Sequence, residues 1–373
     1  MSIPQTGGCS SMTSDIMNDM TATDRRYDID WVRVIAIGLL LIYHVAIGFQ
    51  PWGMMIAFIT NNEPWTSLWI PMSMLNVWRI PLLFFVSGMG VYFALQNRNG
   101  KQLIAERAGR ILIPFLFGAV AIVPIHAYLW QRYYHYNVSY TPGPGHLWFL
   151  ANIFIYVMLF TPLFLHLKRN QSGKLSRAIA CTFRTPLGLI IVVGAFILEA
   201  IILKPFPYEM YAMTWHGFFL GLLAFFFGFC FVLSGQGFWN MIVKYRWVFL
   251  TVAVALFLLR TVYLAINNPV YLLVTESQCW IISVLAFGHR YLNRGGKVLA
   301  YLSKAAYPVY ILHMIFLYLG SVLIFPLSLD VRIKFVLVLL ITAGGCFACY
   351  EIIRRIKWLR PLFGLKFSEK NSV

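Results

Sequence analysis

The sequence predicts an all-α, polytopic membrane helix bundle of about ten transmembrane helices with both termini cytoplasmic. Three observations carry that prediction. The chain of 373 residues is 60% hydrophobic and only 12% charged, against about 25% charged in soluble domains. Apolar runs of about 18 residues or more, the length that crosses a bilayer, recur ten times. Its excess of basic residues, a net charge of +17, falls on alternate connections between those runs.

The elements follow in order. Residues 1–24 are polar, rich in Ser, Thr, Met and Asp; without an apolar stretch they read as a disordered cytoplasmic tail, not a cleaved signal. The membrane domain is expected over 25–366, with a short cytoplasmic tail at 367–373. Its apolar runs are 31–50, 78–96 (with 66–77 as an interfacial lead-in), 111–130, 147–167, 186–203, 214–234, 247–267, 269–288, 300–325 and 333–353. Pro205, Pro207, Pro269 and Pro326 lie near run ends, where a missing N–H costs least. Pro81, Pro114, Pro124 and Pro308 lie near or inside runs and are expected to mark kinks or breaks.

With the N-terminus inside, every cytoplasmic segment is basic. Together these segments hold 24 of the 30 lysines and arginines, as the positive-inside rule requires. Charge confined to short loops excludes nucleic acid as a partner and leaves the lipid bilayer as the protein's environment. Six cysteines show no paired or metal-ligand spacing, and no metal site is expected. Tryptophans and tyrosines at the outer run ends read mainly as an interfacial belt.

Several polar groups are costly where they fall. Arg33 and His44, in DWVRVIAIGLLLIYH, are eleven residues apart. That is close to three helical turns, so both project from one face, with His44 about 16 Å deeper. An ionisable group near the midplane is a functional candidate by default. His313, in AYPVYILH, lies at similar depth in another run, and Glu276, in TESQ, also falls near mid-membrane. A buried carboxylate needs a partner, here a histidine or an arginine. These groups fit a general base oriented by a second group, and equally a buried polar network that fixes helix packing. In ERAGR, Arg107 and Arg110 present two forks on one helix face, a geometry suited to phosphate. FFVSG, at 84–88, places Ser87 and Gly88 where helices can approach closely. GPGHLWFL, at 143–150, is expected to place His146 and Trp148 at the outer rim.

Taken together, these residues resemble the acyltransferase-3 family of integral membrane acyltransferases. The resemblance rests on DWVR followed by His44, on FFVSG, on Arg107-x-x-Arg110 and on YPVYILH at 307–313, and it runs from Arg26 to about Lys366. GHLWFL, TES, FGHR at 287–290 and YEI at 350–352 look most like the branch that includes the glucan-biosynthesis succinyltransferase. The resemblance implies His44 as catalytic base and Arg33 as its companion. Arg107 and Arg110, with Arg33, would handle the acyl-CoA donor. Glu276 or His313 would orient the His44 ring, and His146, Trp148 and Tyr310 would meet the acceptor. The implied activity, in the cell inner membrane, moves an acyl group from cytosolic acetyl-CoA or succinyl-CoA to a hydroxyl of an extracytoplasmic or lipid-linked glycan. No fused hydrolase-like domain is seen, so the bundle itself is expected to recognise the acceptor. Direct transfer and a covalent acyl-histidine both remain open. So does a transporter or flippase using the same intramembrane charges, with a receptor or scaffold as a third reading. Arg79 and Arg260 are candidates for the extra cationic contact that a succinyl group would need.

Overall fold

The computed structural model describes residues 25–264 and 268–367. The tail expected at 1–24, most of that at 367–373 and the last three residues of the seventh run lie outside them. Among the described residues, ten helices are long and apolar enough to span a membrane: α1 Tyr27–Ile47, α2 Thr66–Asn97, α3 Gly100–Tyr133, α4 Gly145–Arg169, α5 Pro186–Leu203, α6 Trp215–Leu233, α7 Arg246–Leu264, α8 Val270–Tyr291, α9 Lys297–Ile324 and α10 Val331–Ile353. Among the described residues there is no strand. The chain is a multi-pass, all-helical membrane protein. Residues 66–77 are not a separate lead-in. They continue directly into α2, whose 32 residues rise about 48 Å, well beyond the roughly 30 Å of the hydrocarbon core.

Burial sorts the helices. It falls from 78% of the apolar window in α2, through 67% in α6 and 61% in α9, to 11% in α7. The first three therefore form the centre, and α7 lies at the periphery, packed on α8. In a bilayer, helix association depends on close packing, and α2 and α6 achieve it through glycine. A Cβ at Gly88 would overlap the Phe225 carbonyl, and one at Gly228 would overlap that of Phe85. Gly88 of FFVSG thus does what its size predicts. Around this contact Phe164 and Phe229 stack at 3.8 Å, and Phe85 and Phe231 at 5.4 Å.

None of the four prolines expected to kink or break a run, Pro81, Pro114, Pro124 and Pro308, breaks its helix. Pro81 and Pro308 sit within continuous α-helix. Pro114 and Pro124 each follow a π-helical turn, Ala108–Leu112 and Gly118–Ile122. A proline leaves the carbonyl four residues earlier without its helical donor, and in lipid that carbonyl must be satisfied otherwise. For Pro81 that carbonyl is Val77, which accepts from Ser277 Oγ at 2.7 Å and Tyr211 Oη at 3.2 Å. For Pro124 it is Val120, which accepts from Tyr140 Oη at 2.8 Å. The adjacent Ala119 carbonyl accepts from the Gly143 N–H at 3.1 Å.

The last two bonds shape the site. Val120 lies 13 residues back from the end of α3 at Tyr133, about 20 Å along the helix. After α3 the chain therefore turns back along it, and α4 begins deep in the bundle. Its opening residues, His146 among them, are carried inward.

Candidate active site

A cavity of about 1380 Å³ opens at the basic end of the bundle, larger than the roughly 300–1,000 Å³ of most small-molecule sites. Its cationic side chains are Arg25, Arg33, Arg107, Arg110, Lys304, Arg354, Arg355, Arg360 and Lys366, with no carboxylate in the wall. Asp30 pairs with Arg25 and Arg33, and Glu106 with Arg98 and Arg110. The acids stand behind the arginines and orient them, leaving the surplus positive. Arg107 Nε, Ser303 Oγ and Tyr307 Oη line the cavity and are buried with no hydrogen-bond partner among the described residues. Phosphate or amide groups could occupy such a site.

Away from the mouth the walls become apolar. Ile37 on α1, Leu83, Val86 and Ser87 on α2, Phe149 and Ile153 on α4, and Tyr310 on α9 line the inner part. On α1 the wall ends at Ile37, seven residues before His44 and on the same face.

At that depth stands a relay of histidines. His44 Nδ1 is 2.8 Å from His313 Nε2, with the rings parallel at 5.0 Å. His313 Nδ1 lies 2.6 Å from the Tyr310 carbonyl, which can only accept, so His313 carries its proton on Nδ1. Neutral His313 then accepts at Nε2, His44 Nδ1–H donates to it, and His44 Nε2 is left with a lone pair. His313 is wholly buried, whereas His44 keeps some accessible surface. One ring is held and the other keeps some exposed surface, though neither is part of the cavity wall. Tyr310 organises the group: its carbonyl fixes His313, its hydroxyl donates to the His146 carbonyl, and its side chain reaches the cavity wall.

His146 and Trp148 are not at the outer rim. Because α4 starts deep, His146 donates from Nε2 to the Ile311 carbonyl at 3.0 Å, and its ring lies 5.0 Å from that of His313. Trp148 is buried beside Phe84 and Phe149. Glu276 does not reach the histidines either. It takes both Nε and Nη2 of Arg260, at 2.8 and 2.9 Å, in a buried bidentate pair between α7 and α8. A carboxylate and a guanidinium fork satisfy one another more fully than a carboxylate and an imidazole. Of the two expected orienting groups, only His313 touches His44.

Two contributors went unread in the sequence. His126 on α3 stacks edge-on to His146, with centroids 5.5 Å apart; its place in an apolar run was the available signal. Arg354, Arg355, Arg360 and Lys366 form one side of the mouth, where sequence alone showed only a basic flank.

At the end of α1 away from the basic mouth, the 48–65 segment covers the site. Phe58 packs 5.7 Å from His44, Asn61 accepts from the buried Lys334 ammonium at 3.2 Å, and Tyr134 Oη accepts from the Thr60 N–H at 3.0 Å. Arg79 is close by, fully buried, with its guanidinium 3.9 Å over the Tyr43 ring. None of its three nitrogens meets a hydrogen-bond acceptor among the described residues. A cation–π contact contributes up to about 2 kcal/mol, less than the several kcal/mol that burying a charge costs.

Fold and site together define a membrane-embedded histidine centre served by a cationic cavity at one end of the bundle. Residues 26–351 match the acyltransferase-3 family model, described as an acyltransferase domain. The chain belongs to that family, whose name points to acyl transfer. Neither the curated proteins nor the solved structures gave a match.

Proposed function

We propose that the protein transfers an acyl group from cytosolic acyl-CoA to a hydroxyl of an extracytoplasmic or lipid-linked glycan in the inner membrane. The observation that carries this reading is the alignment of a cationic mouth, an apolar shaft and a histidine with a lone pair along one face of α1. The basic end is the cytoplasmic one on the positive-inside rule. The nucleotide phosphates dock among Arg33, Arg107, Arg110 and the C-terminal arginines, and the pantetheine arm runs inward toward His44. Supporting the glucan-modifying branch are the motifs GHLWFL, TES, FGHR and YEI.

In the reaction His44 Nε2 takes the proton of the attacking hydroxyl as its oxygen bonds to the thioester carbonyl. The carbon–sulfur bond then breaks, and the same proton passes to the departing thiolate. His313 accepts from His44 Nδ1–H throughout and stabilises the transient imidazolium. A positioned base of this kind contributes about 10²–10⁴-fold. The acceptor approaches from the side now covered by Phe58, which requires the 48–65 segment to move. Mass spectrometry of envelope glycans from cells with and without the gene tests the reading. An acyl substituent that disappears with the gene supports it, and identical glycan profiles overturn it.

A further inference from the structure

Three cations are buried among the described residues: Arg79, Arg260 and Lys334. Arg260 is engaged by Glu276, and Lys334 by Asn61 and the Phe325 carbonyl. Arg79 is the most deeply buried of the three, and none of its nitrogens meets a hydrogen-bond acceptor among the described residues. An unpaired charge in the interior is a standing cost to stability, and a polar group left unsatisfied there calls for a functional reason.

Its position supplies one. Leu83, Val86 and Gly90 line the cavity, and Arg79 precedes them on α2 by four, seven and eleven residues, spacings that return to one helix face. Arg107 Nη2 reaches the Gly90 carbonyl, so Gly90 marks the level of the cationic mouth. Arg79 stands eleven residues further in, about 16 Å, the same rise that separates Arg33 from His44 on α1. The guanidinium lies 3.9 Å over the Tyr43 ring, and that ring lies 5.7 Å from the imidazole of His44, its neighbour in sequence. The charge acts on both His44 and His313, whereas the groups acting on it are Tyr43 and Tyr211, with no carboxylate among them.

Those separations suit a transition state of acyl transfer. The attacking oxygen sits about 2.8 Å from its base, and the carbonyl oxygen about 2.7–3.1 Å from the donor that stabilises it. With the reacting carbon between them, base and donor stand roughly 5–8 Å apart, a gap that the two steps through Tyr43 span. His44 is occupied with the proton and His313 with His44 Nδ1–H, so the charge on the carbonyl oxygen needs a third group.

We propose that Arg79 is that group, the donor that takes the oxyanion as it forms on the thioester carbonyl. This deepens the acyl-transfer reading and rests on it. The hydroxyl proton goes to His44 Nε2, the new carbon–oxygen bond forms, and the carbonyl electron pair settles on the oxygen facing Arg79. The carbonyl then re-forms, the carbon–sulfur bond breaks, and the thiolate leaves with the proton from His44. A guanidinium with no carboxylate partner is preorganised for this task, since it gives up no ion pair when the charge appears. Every acyl-CoA carries the same carbonyl, so the contribution of Arg79 does not depend on the acyl tail.

Arg79→Met is compared with wild type for thiol release from acetyl-CoA, butyryl-CoA and succinyl-CoA, for CoA affinity and for thermal unfolding. We expect kcat to fall about 10²–10³-fold, as when one oxyanion donor is removed, by the same factor for each donor and with CoA bound as tightly as before. Tm is expected to hold or rise, because an unpaired buried charge has been exchanged for an apolar side chain. Arg79→Lys, which keeps the charge, should recover part of the rate. A fall confined to one donor or to KM overturns the proposal while leaving acyl transfer intact, since the arginine then grips a substrate tail. So does a kcat within about threefold of wild type, or a loss of kcat accompanied by a lower Tm, the mark of a structural cation. Should Arg79→Met fail to fold, Arg79→Lys and Arg79→Gln decide, and equal kcat in the two overturns the proposal. No turnover by wild type with any donor overturns both this proposal and the reading beneath it.

Discussion

Replacing His313 with alanine removes the acceptor that fixes the proton on His44. The affected contact is the 2.8 Å bond between His44 Nδ1 and His313 Nε2, which becomes charge-assisted whenever His44 is protonated in turnover. A hydrogen bond to a charged group contributes about 1.5–3 kcal/mol. At about 1.4 kcal/mol per decade, losing it alone lowers kcat roughly 10- to 150-fold. Freeing the ring to adopt the other tautomer deepens the loss, since the lone pair then faces the wrong way. His313 is not part of the cavity wall, so KM for the donor should stay within about threefold, the pattern of an interaction made in the transition state. The assay is thiol release from acyl-CoA by purified protein in detergent, with thermal unfolding run alongside. His313→Gln, which offers an amide oxygen to the same N–H, should recover part of the rate. A folded His313→Ala with kcat within about threefold of wild type refutes the relay.

Three further outcomes are expected. Arg107→Ala with Arg110→Ala should raise KM for acyl-CoA about tenfold or more, since charge-assisted phosphate contacts are lost, and should weaken its salt dependence; unchanged donor affinity removes the pair from the site. Glu276→Ala leaves Arg260 buried and unpaired, a loss of about 3–5 kcal/mol visible as a large fall in Tm. The double change to leucine and methionine should recover most of it, and a wild-type Tm in the single variant contradicts the pairing. Gly88→Ala drives a methyl group into the Phe225 carbonyl and should separate α2 from α6, costing about 1–3 kcal/mol or more; an unaltered Tm means that this contact is not close.

Much of the fold was legible because the bilayer imposes one rule on every span. Apolar length and basic loops identified all ten helices, and the Pro186–Leu203 run coincides with its helix. What sequence could not show was depth. His146 looks like a rim residue because it opens a span, and only the turn-back after α3, pinned at Ala119 and Val120, carries it to His313. That arrangement depends on a tyrosine 20 residues from the carbonyl it satisfies, a pairing no periodicity reveals. Arg33 and His44 were readable because one helix holds both at a fixed rise. The partner of Glu276 was not, because a carboxylate in mid-membrane accepts either an imidazole or a guanidinium. Arg79 could be suspected from its type and place, whereas its lack of an acceptor is a property of packing alone.

The account stands most directly on His44 as proton acceptor. Purified His44→Ala protein, compared with wild type for thiol release from acyl-CoA and for CoA affinity, isolates that role. The predicted result is turnover reduced by about 10²–10⁴-fold with CoA bound as tightly as before, since the cationic mouth is untouched. Wild-type turnover in that variant contradicts the account.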